Sequence, residues 1–251
     1  MKNDLKESSK TLEFLSVPKC VIGIDEDKKV HIHDFVQGNN LFISGQVGAG
    51  KTVLINEMVK SAMYDKSPND IQFALYDPTR MAFLDYKDSP HLIKNIMFET
   101  EEFEDYLGEL VDISINRAKQ IEEAETTDIE NYNKYALKND KEKLPYIVTV
   151  IDEMAVLAEE SPNVQSNLIS LMQKSRELGI YFIISTQIPR RSVICDTLKA
   201  HMYSRMALKV RNEEESMFII DEAGAENLEV HGEVIYKTDG YAKVLQFFYN
   251  K

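Results

Sequence analysis

GQVGAGKT, residues 45–52, is the stretch on which the fold turns. It fits the pattern G-x-x-x-x-G-K-[ST], with Gly45, Gly50, Lys51 and Thr52 at the fixed places. A short apolar run, LFIS (41–44), precedes it. VLINEMVKSAMY (53–64) follows, with Val53, Leu54, Met58 and Met63 near helical spacing. Strand, glycine loop and helix in that order form the context in which the pattern wraps phosphate rather than making a plain turn. Glycine lets successive backbone N–H groups face inward, and the helix N-terminus adds the positive end of its dipole. The residues expected to line a nucleotide are therefore Gly45, Gln46, Val47, Gly48, Ala49, Gly50, Lys51, Thr52 and Val53. In that pattern the lysine reaches the β and γ phosphates of ATP and the threonine hydroxyl ligates Mg²⁺.

Working outward, IQFALY (71–76), YIVTVI (146–151) and IYFIIST (180–186) are continuous apolar or β-branched runs, the pattern of strands covered on both faces. EEFEDYLGELVDISINRAKQIEEA (101–124) and NVQSNLISLMQKSREL (163–178) read as helices, the second ended by Gly179. Residues 126–145 are polar and read as a loop or broken helix. The tail reads as three strands, MYSRMALKV, EVIY and YAKVLQFFY, with a short helix around Glu213–Glu222. Alternating strands and helices predict an α/β protein with a mainly parallel sheet flanked by helices. We expect a polar N-terminal segment (1–18) and one domain (19–251).

A triphosphate site needs an acid on the metal side. YIVTVIDE supplies Asp152 and Glu153 at the C-terminal end of an apolar strand, the edge where parallel sheets gather ligands. Asp152 is expected to support Mg²⁺ with Thr52, and Glu153 to polarise the attacking water. On the residues alone, Gln187 reads equally as a γ-phosphate sensor or as a surface residue after a strand. His31 and His33 alternate on a predicted strand, but without a third ligand nearby they read as structural.

Composition narrows the class. The net charge is −13, which argues against a broad, non-specific hold on nucleic acid. The charge is uneven. Between Glu99 and Glu130 there are 12 acidic side chains and 2 basic ones, a solvated face or a docking surface for a protein partner. Between Thr186 and Arg211 six basic side chains face only Asp196. No run of 18 apolar residues and no apolar leader is present, so membrane insertion is not expected. The 2 cysteines, Cys20 and Cys195, fit a reducing cytoplasm.

GQVGAGKT, YDPTR with SPHL (76–80 and 89–92), ENYNKYA (130–136), IVTVIDEMAVL (147–157), SRELGIYFIISTQIP (175–189), LKAHMYSRMAL (198–208) and IDEAGAENL with GEVIY (220–228 and 232–236) follow one another as in the FtsK/SpoIIIE motor domain. The resemblance covers about Val21 to Tyr249. It implies a RecA-like P-loop NTPase that forms a hexameric ring and moves double-stranded DNA through it, using ATP and Mg²⁺. It also implies catalytic roles for Lys51, Glu153, Gln187 as sensor, and Arg176 as the arginine that reaches a neighbouring subunit's ATP. Lys199 matches a pore-side lysine, with Arg190 and Arg191 as further DNA-contact candidates. The chain departs from the pattern at Ile188, Glu213 and Met217, where the family usually carries basic residues. The membrane-spanning N-terminal region and the C-terminal winged-helix module usual in the family are not in this sequence, which reads as a stripped motor, a fragment, or a member from a mobile element. Acidity and the missing arginines favour a related ATPase of type VII protein secretion; a conjugative DNA-transfer coupling protein is a further alternative. The YDPTR, SPHL and AGAE segments favour the DNA motor. A module that binds ATP without cleaving it is the third reading, opposed by the intact Asp152–Glu153 pair.

Overall fold

The structure is a computed structural model and describes residues 17–230 and 232–247. Most of the polar N-terminal segment, and Phe248 and Tyr249 of the predicted tail strand, lie outside the described residues. The nine described strands form one sheet: β1 (Lys19–Ile24), β2 (Val30–Asp34), β3 (Leu41–Ser44), β4 (Ile71–Tyr76), β5 (Tyr146–Ile151), β6 (Ile180–Thr186), β7 (Ser204–Ala207), β8 (Glu233–Thr238) and β9 (Tyr241–Gln246). Their spatial order is β2-β1-β9-β8-β7-β3-β6-β5-β4. From β7 to β4 every pairing is parallel, and beyond β7 every pairing is antiparallel. The mainly parallel expectation thus holds for the half of the sheet that carries the site. In the other half a two-stranded hairpin (β8–β9) and the β1–β2 pair extend the sheet.

Helices cover both faces because the central strands alternate between two cores. In β6, Ile180, Phe182 and Ile184 enter one apolar cluster, and Tyr181 and Ile183 enter the other. In β5, Ile147 and Ile151 face the first side, and Tyr146, Val148 and Val150 the second. The first cluster is closed by α3 (Thr100–Glu123) through Phe103, Tyr106, Leu107 and Leu110. The second is closed by α2 (Lys51–Met63) through Leu54, Ile55, Met58 and Val59. Each such side chain fully buried contributes about 1.5–3 kcal/mol before entropy is counted.

Two predicted elements differ. The polar stretch after α3 contains a helix, α4 (Ile129–Lys138), started by Asp128, whose side chain accepts from Asn131 N. Ile129, Tyr132, Asn133 and Ala136 form its buried stripe. The helix expected over 163–178 is broken at Gln173 and Lys174 into α6 (Val164–Met172) and a single turn, α7 (Ser175–Leu178). The remaining helices are α1 (Phe35–Gly38), α5 (Met154–Glu160), α8 (Asp196–Ala200) and α9 (Glu213–Ile220). Among the described residues no helix is long and apolar enough to cross a membrane.

His31 and His33 go to different partners. His31 Nε2 lies 2.8 Å from Asp25, which also accepts from Lys243. His33 is fully buried. Its Nε2–H donates to the Asn39 carbonyl (3.1 Å), so its Nδ1 accepts from the Tyr236 hydroxyl (3.0 Å). Burial pulls the His33 pKa down to about 4, against 6.5 in the open chain. Between those values unfolding takes up a proton, so stability falls as pH drops through the window, by up to roughly 3 kcal/mol. Urea midpoints measured from about pH 7 to about 4.5 will show this slope, and His33→Gln will flatten it. Equal slopes in the two proteins would assign the effect to another group.

Candidate nucleotide site

The phosphate loop follows β3 and opens α2, with Gly50 as the helix cap at φ 99°. Two of its glycines are required by shape. A Cβ on Gly45 would sit 2.8 Å from Leu208 Cβ, and one on Gly50 would sit 2.9 Å from the Phe247 ring. Gly48, also at positive φ, faces open space at the tip. Gln46 N donates to the Lys209 carbonyl (2.8 Å), which ties the loop to the end of β7. The first turn of α2 leaves its amides without helix-internal acceptors, the feature of a helix start that suits an anion.

Lys51 folds back into this loop. Its Nζ donates to the carbonyls of Gly45 (2.7 Å) and Gln46 (3.2 Å), and the side chain is buried. Burial lowers its pKa, opposed by the negative charges of Glu153 and Asp152. Thr52 Oγ1 donates to Asp152 at 3.3 Å, so the two residues separated by 100 positions in sequence meet at the mouth of the loop.

Parallel register explains the acidic side. Ile151 of β5 is level with Ile184 of β6, so Asp152 falls beside Ser185 and Glu153 beside Thr186. Ser185 Oγ donates to Asp152 at 2.7 Å. Burial raises the Asp152 pKa, and the nearby Asp77 charge raises it further. The bond from Ser185, the bond from Thr52 and the charge of Lys51 act the other way. Glu153 accepts from Thr186 Oγ1 (2.6 Å) and from Gln187 N (3.1 Å). Its own backbone is left-handed, φ 81° and ψ 75°. For a residue with a side chain this costs about 1–3 kcal/mol, the kind of strain that concentrates at functional positions.

Sequence reasoning passed over three members of this constellation. Asp77 follows β4 as Asp152 follows β5 and is fully buried. It accepts from Thr79 N and Oγ1 and from Ala82 N and Phe83 N. In the sequence Ser185 and Thr186 stand only as the end of a strand. Their signal is the pairing of two small hydroxyl residues with the D-E pair of a neighbouring strand, which becomes visible once the strand order is known.

Gln187 sits beside Glu153, on the same sheet edge as the loop, and is half-buried. Arg176 lies at the other edge. It is exposed on α7, just before β6 begins, whereas Thr186 ends β6 beside the loop. At about 3.3 Å per residue that puts roughly 20 Å of strand between the arginine and its own loop. Arg190 and Arg191 are exposed, and Arg191 pairs with Asp196 at 3.1 Å. Lys199 is turned away from solvent, with its side chain 13% exposed. It pairs with Asp221 at 2.8 Å and lies over the Phe218 ring. Arg205 shares the same Asp221.

The donor set fits a nucleotide with a divalent cation. A hydroxyl and a carboxylate are the hard oxygen ligands that Mg²⁺ takes. A lysine and a row of free amides match polyphosphate, and a second carboxylate stands one residue on.

Comparison with known proteins places this geometry. The sequence model of the FtsK/SpoIIIE family matches residues 15–192. The chain is similar to the DNA translocase FtsK of Clostridium tetani, at 33% identity over 247 residues, covering 97% of this chain and 32% of that one. The DNA translocase FtsK of Campylobacter jejuni is 29% identical, with 98% of this chain and 26% of that one covered. The chain therefore spans between about a quarter and a third of the length of these relatives. Among solved structures, the pCW3 conjugation coupling protein TcpA, in a monomer form with ATPγS, superposes with a TM-score of 0.81 at 22% identity. That match covers 92% of this chain and 66% of TcpA, a likeness of fold.

Proposed function

The chain belongs to the FtsK/SpoIIIE family, and from that premise we propose that it is an Mg²⁺-dependent ATPase that drives double-stranded DNA through a homo-oligomeric, hexameric ring in the cytoplasm. The observation that carries the reading is the meeting of Thr52, Asp152 and Glu153 at the mouth of the loop that buries Lys51. Amides of the loop and the Lys51 ammonium bind the β and γ phosphates. Thr52 and Asp152 hold the cation, which when bound neutralises charge on the phosphates. Glu153 takes the proton of the attacking water, and its grip on Thr186 and Gln187 fixes the direction from which it does so. Gln187, anchored through its backbone on that same carboxylate, reports the γ-phosphate to the end of β6. Arg176, too far from its own loop, serves the site of the neighbouring subunit.

DNA contact rests on Arg190 and Arg191, which stand in solvent. An exposed pair such as Arg191–Asp196 contributes about 0–1 kcal/mol, so phosphate can replace the carboxylate. Lys199 reaches DNA only by leaving Asp221. The exposed carboxylates of α3 repel DNA and suit a basic protein partner.

The same charge arrangement favours a second reading, in which the cargo is a protein. Of the six cations between Thr186 and Arg211, Arg191, Lys199 and Arg205 are paired with acids, Arg211 pairs with Glu215, and Lys209 donates to the Glu226 carbonyl. Steady-state ATPase with and without linear duplex DNA at moderate salt decides between them. We expect stimulation by DNA that fades as salt rises. Equal rates with and without DNA would move the assignment to protein transport.

A further inference from the structure

Arg117 is a cation buried in the wrong place for a structural ion pair. It projects from α3 into the molecule, is 4% exposed, and makes no salt bridge to a carboxylate among the described residues. All of its hydrogen bonds go to backbone carbonyls. Nη1 donates to Leu178 (2.7 Å) and at longer range to Gly179 (3.5 Å), and Nη2 donates to Pro145 (2.6 Å). Burying a guanidinium without a counter-charge is expensive, and packing alone would be served by an apolar side chain of similar volume.

Those carbonyls belong to two elements that matter. Leu178 ends α7, the single turn that carries Arg176, and Gly179 caps it. Pro145 leads into β5, which Asp152 and Glu153 follow. A helix of four residues does not hold its own shape. Its surroundings hold this one, starting with buried Ser175, whose Oγ donates to the Met172 carbonyl (3.0 Å). The Arg176 carbonyl accepts from Gly179 N and from the Tyr181 hydroxyl. Gly179, at φ 67°, lies so close under Ile129 and Tyr146 that a Cβ would overlap the Ile129 Cδ1. Arg117 adds a bond to the Leu178 carbonyl at the C-terminal end of the turn, while the Gly179 carbonyl, which it meets at longer range, also accepts from Ile147 N (2.9 Å).

We propose that Arg117 is the positioning residue for Arg176. It locks α7 to the root of β5 and so sets the direction in which the exposed arginine reaches a neighbouring subunit. The inference rests on the ATPase reading above and on the role given there to Arg176.

The test uses the full chain with Arg117→Met and Arg117→Lys, measuring kcat and KM for ATP, binding of a fluorescent ATP analogue, and mixed assemblies. Arg117→Met is expected to bind the analogue as the wild type does and to lose kcat by about 10²-fold, the effect of a misaimed group, with KM little changed. Turnover should partly return when it is mixed with Glu153→Gln subunits, whose Arg176 is correctly held. It should not return on mixing with Arg176→Ala subunits. Arg117→Lys, which keeps a donor toward Leu178, should recover part of kcat without mixing. It is also the variant to measure should the methionine chain not fold. Loss of analogue binding, or equal behaviour with both mixing partners, would make Arg117 a general stability residue and overturn the proposal. An active wild type with an inactive Arg176→Ala and a fully active Arg117→Met or Arg117→Lys overturns it alone. A wild type no faster than Lys51→Ala overturns the ATPase reading and this proposal with it.

Discussion

A Glu153→Gln chain will bind ATP with near wild-type affinity and lose turnover by about 10²–10⁴-fold, the usual contribution of a positioned base. Glutamine has the same shape. Its carbonyl oxygen can still accept from Thr186 Oγ1 and Gln187 N, so the brace between β5 and β6 survives. The binding elements, the loop amides and Lys51, lie elsewhere and are unaffected. What glutamine cannot do is take a proton. Phosphate release measured alongside equilibrium binding of a fluorescent ATP analogue separates the two properties. Normal turnover would leave Glu153 as a structural brace and pass the role of base to another residue.

The second large effect is at Arg176. Arg176→Ala should leave binding intact and reduce turnover by about 10³–10⁵-fold, the range of an arginine supplied in trans. Binding is spared because the residue sits at the far edge of the sheet from its own loop, exposed and on a separate turn. Mixing with Glu153→Gln subunits should restore part of the activity, since each variant then supplies the half that the other lacks. Failure of the mixture to recover, with both chains folded, would remove Arg176 from the site.

Much of this site is legible from residue type and spacing. Gly45, Gly50, Lys51 and Thr52 are read from local pattern, because the phosphate loop is a local structure: a strand end, a turn and a helix start. Asp152 and Glu153 are legible because two carboxylates in tandem follow an apolar strand in a chain that already carries the phosphate loop. Ser185, Thr186 and Asp77 are not, because their roles depend on which strand lies beside which. That order, β3-β6-β5-β4, is set by tertiary packing rather than by any one segment. The break before Arg176 is hidden for a related reason. Val164, Leu168, Leu171, Met172 and Leu178 keep a continuous apolar stripe across it, while the hydrogen bonds that shape α7 come from Arg117 and Tyr181, residues of other elements. Helix α4 was obscured by composition. Its buried stripe includes Asn133, which satisfies itself on Leu144 N and O, so a polar residue stands where the helical pattern calls for an apolar one.

Because the phosphate loop and Arg176 occupy opposite ends of the strands, two copies that meet through them touch by unlike surfaces, head to tail. Such contacts have no twofold axis and do not stop at a dimer. Each added copy leaves one donor end and one acceptor end unused until the rotation between neighbours brings the last onto the first. The angle at that junction, more than its strength, then decides between a closed circle and an endless helix.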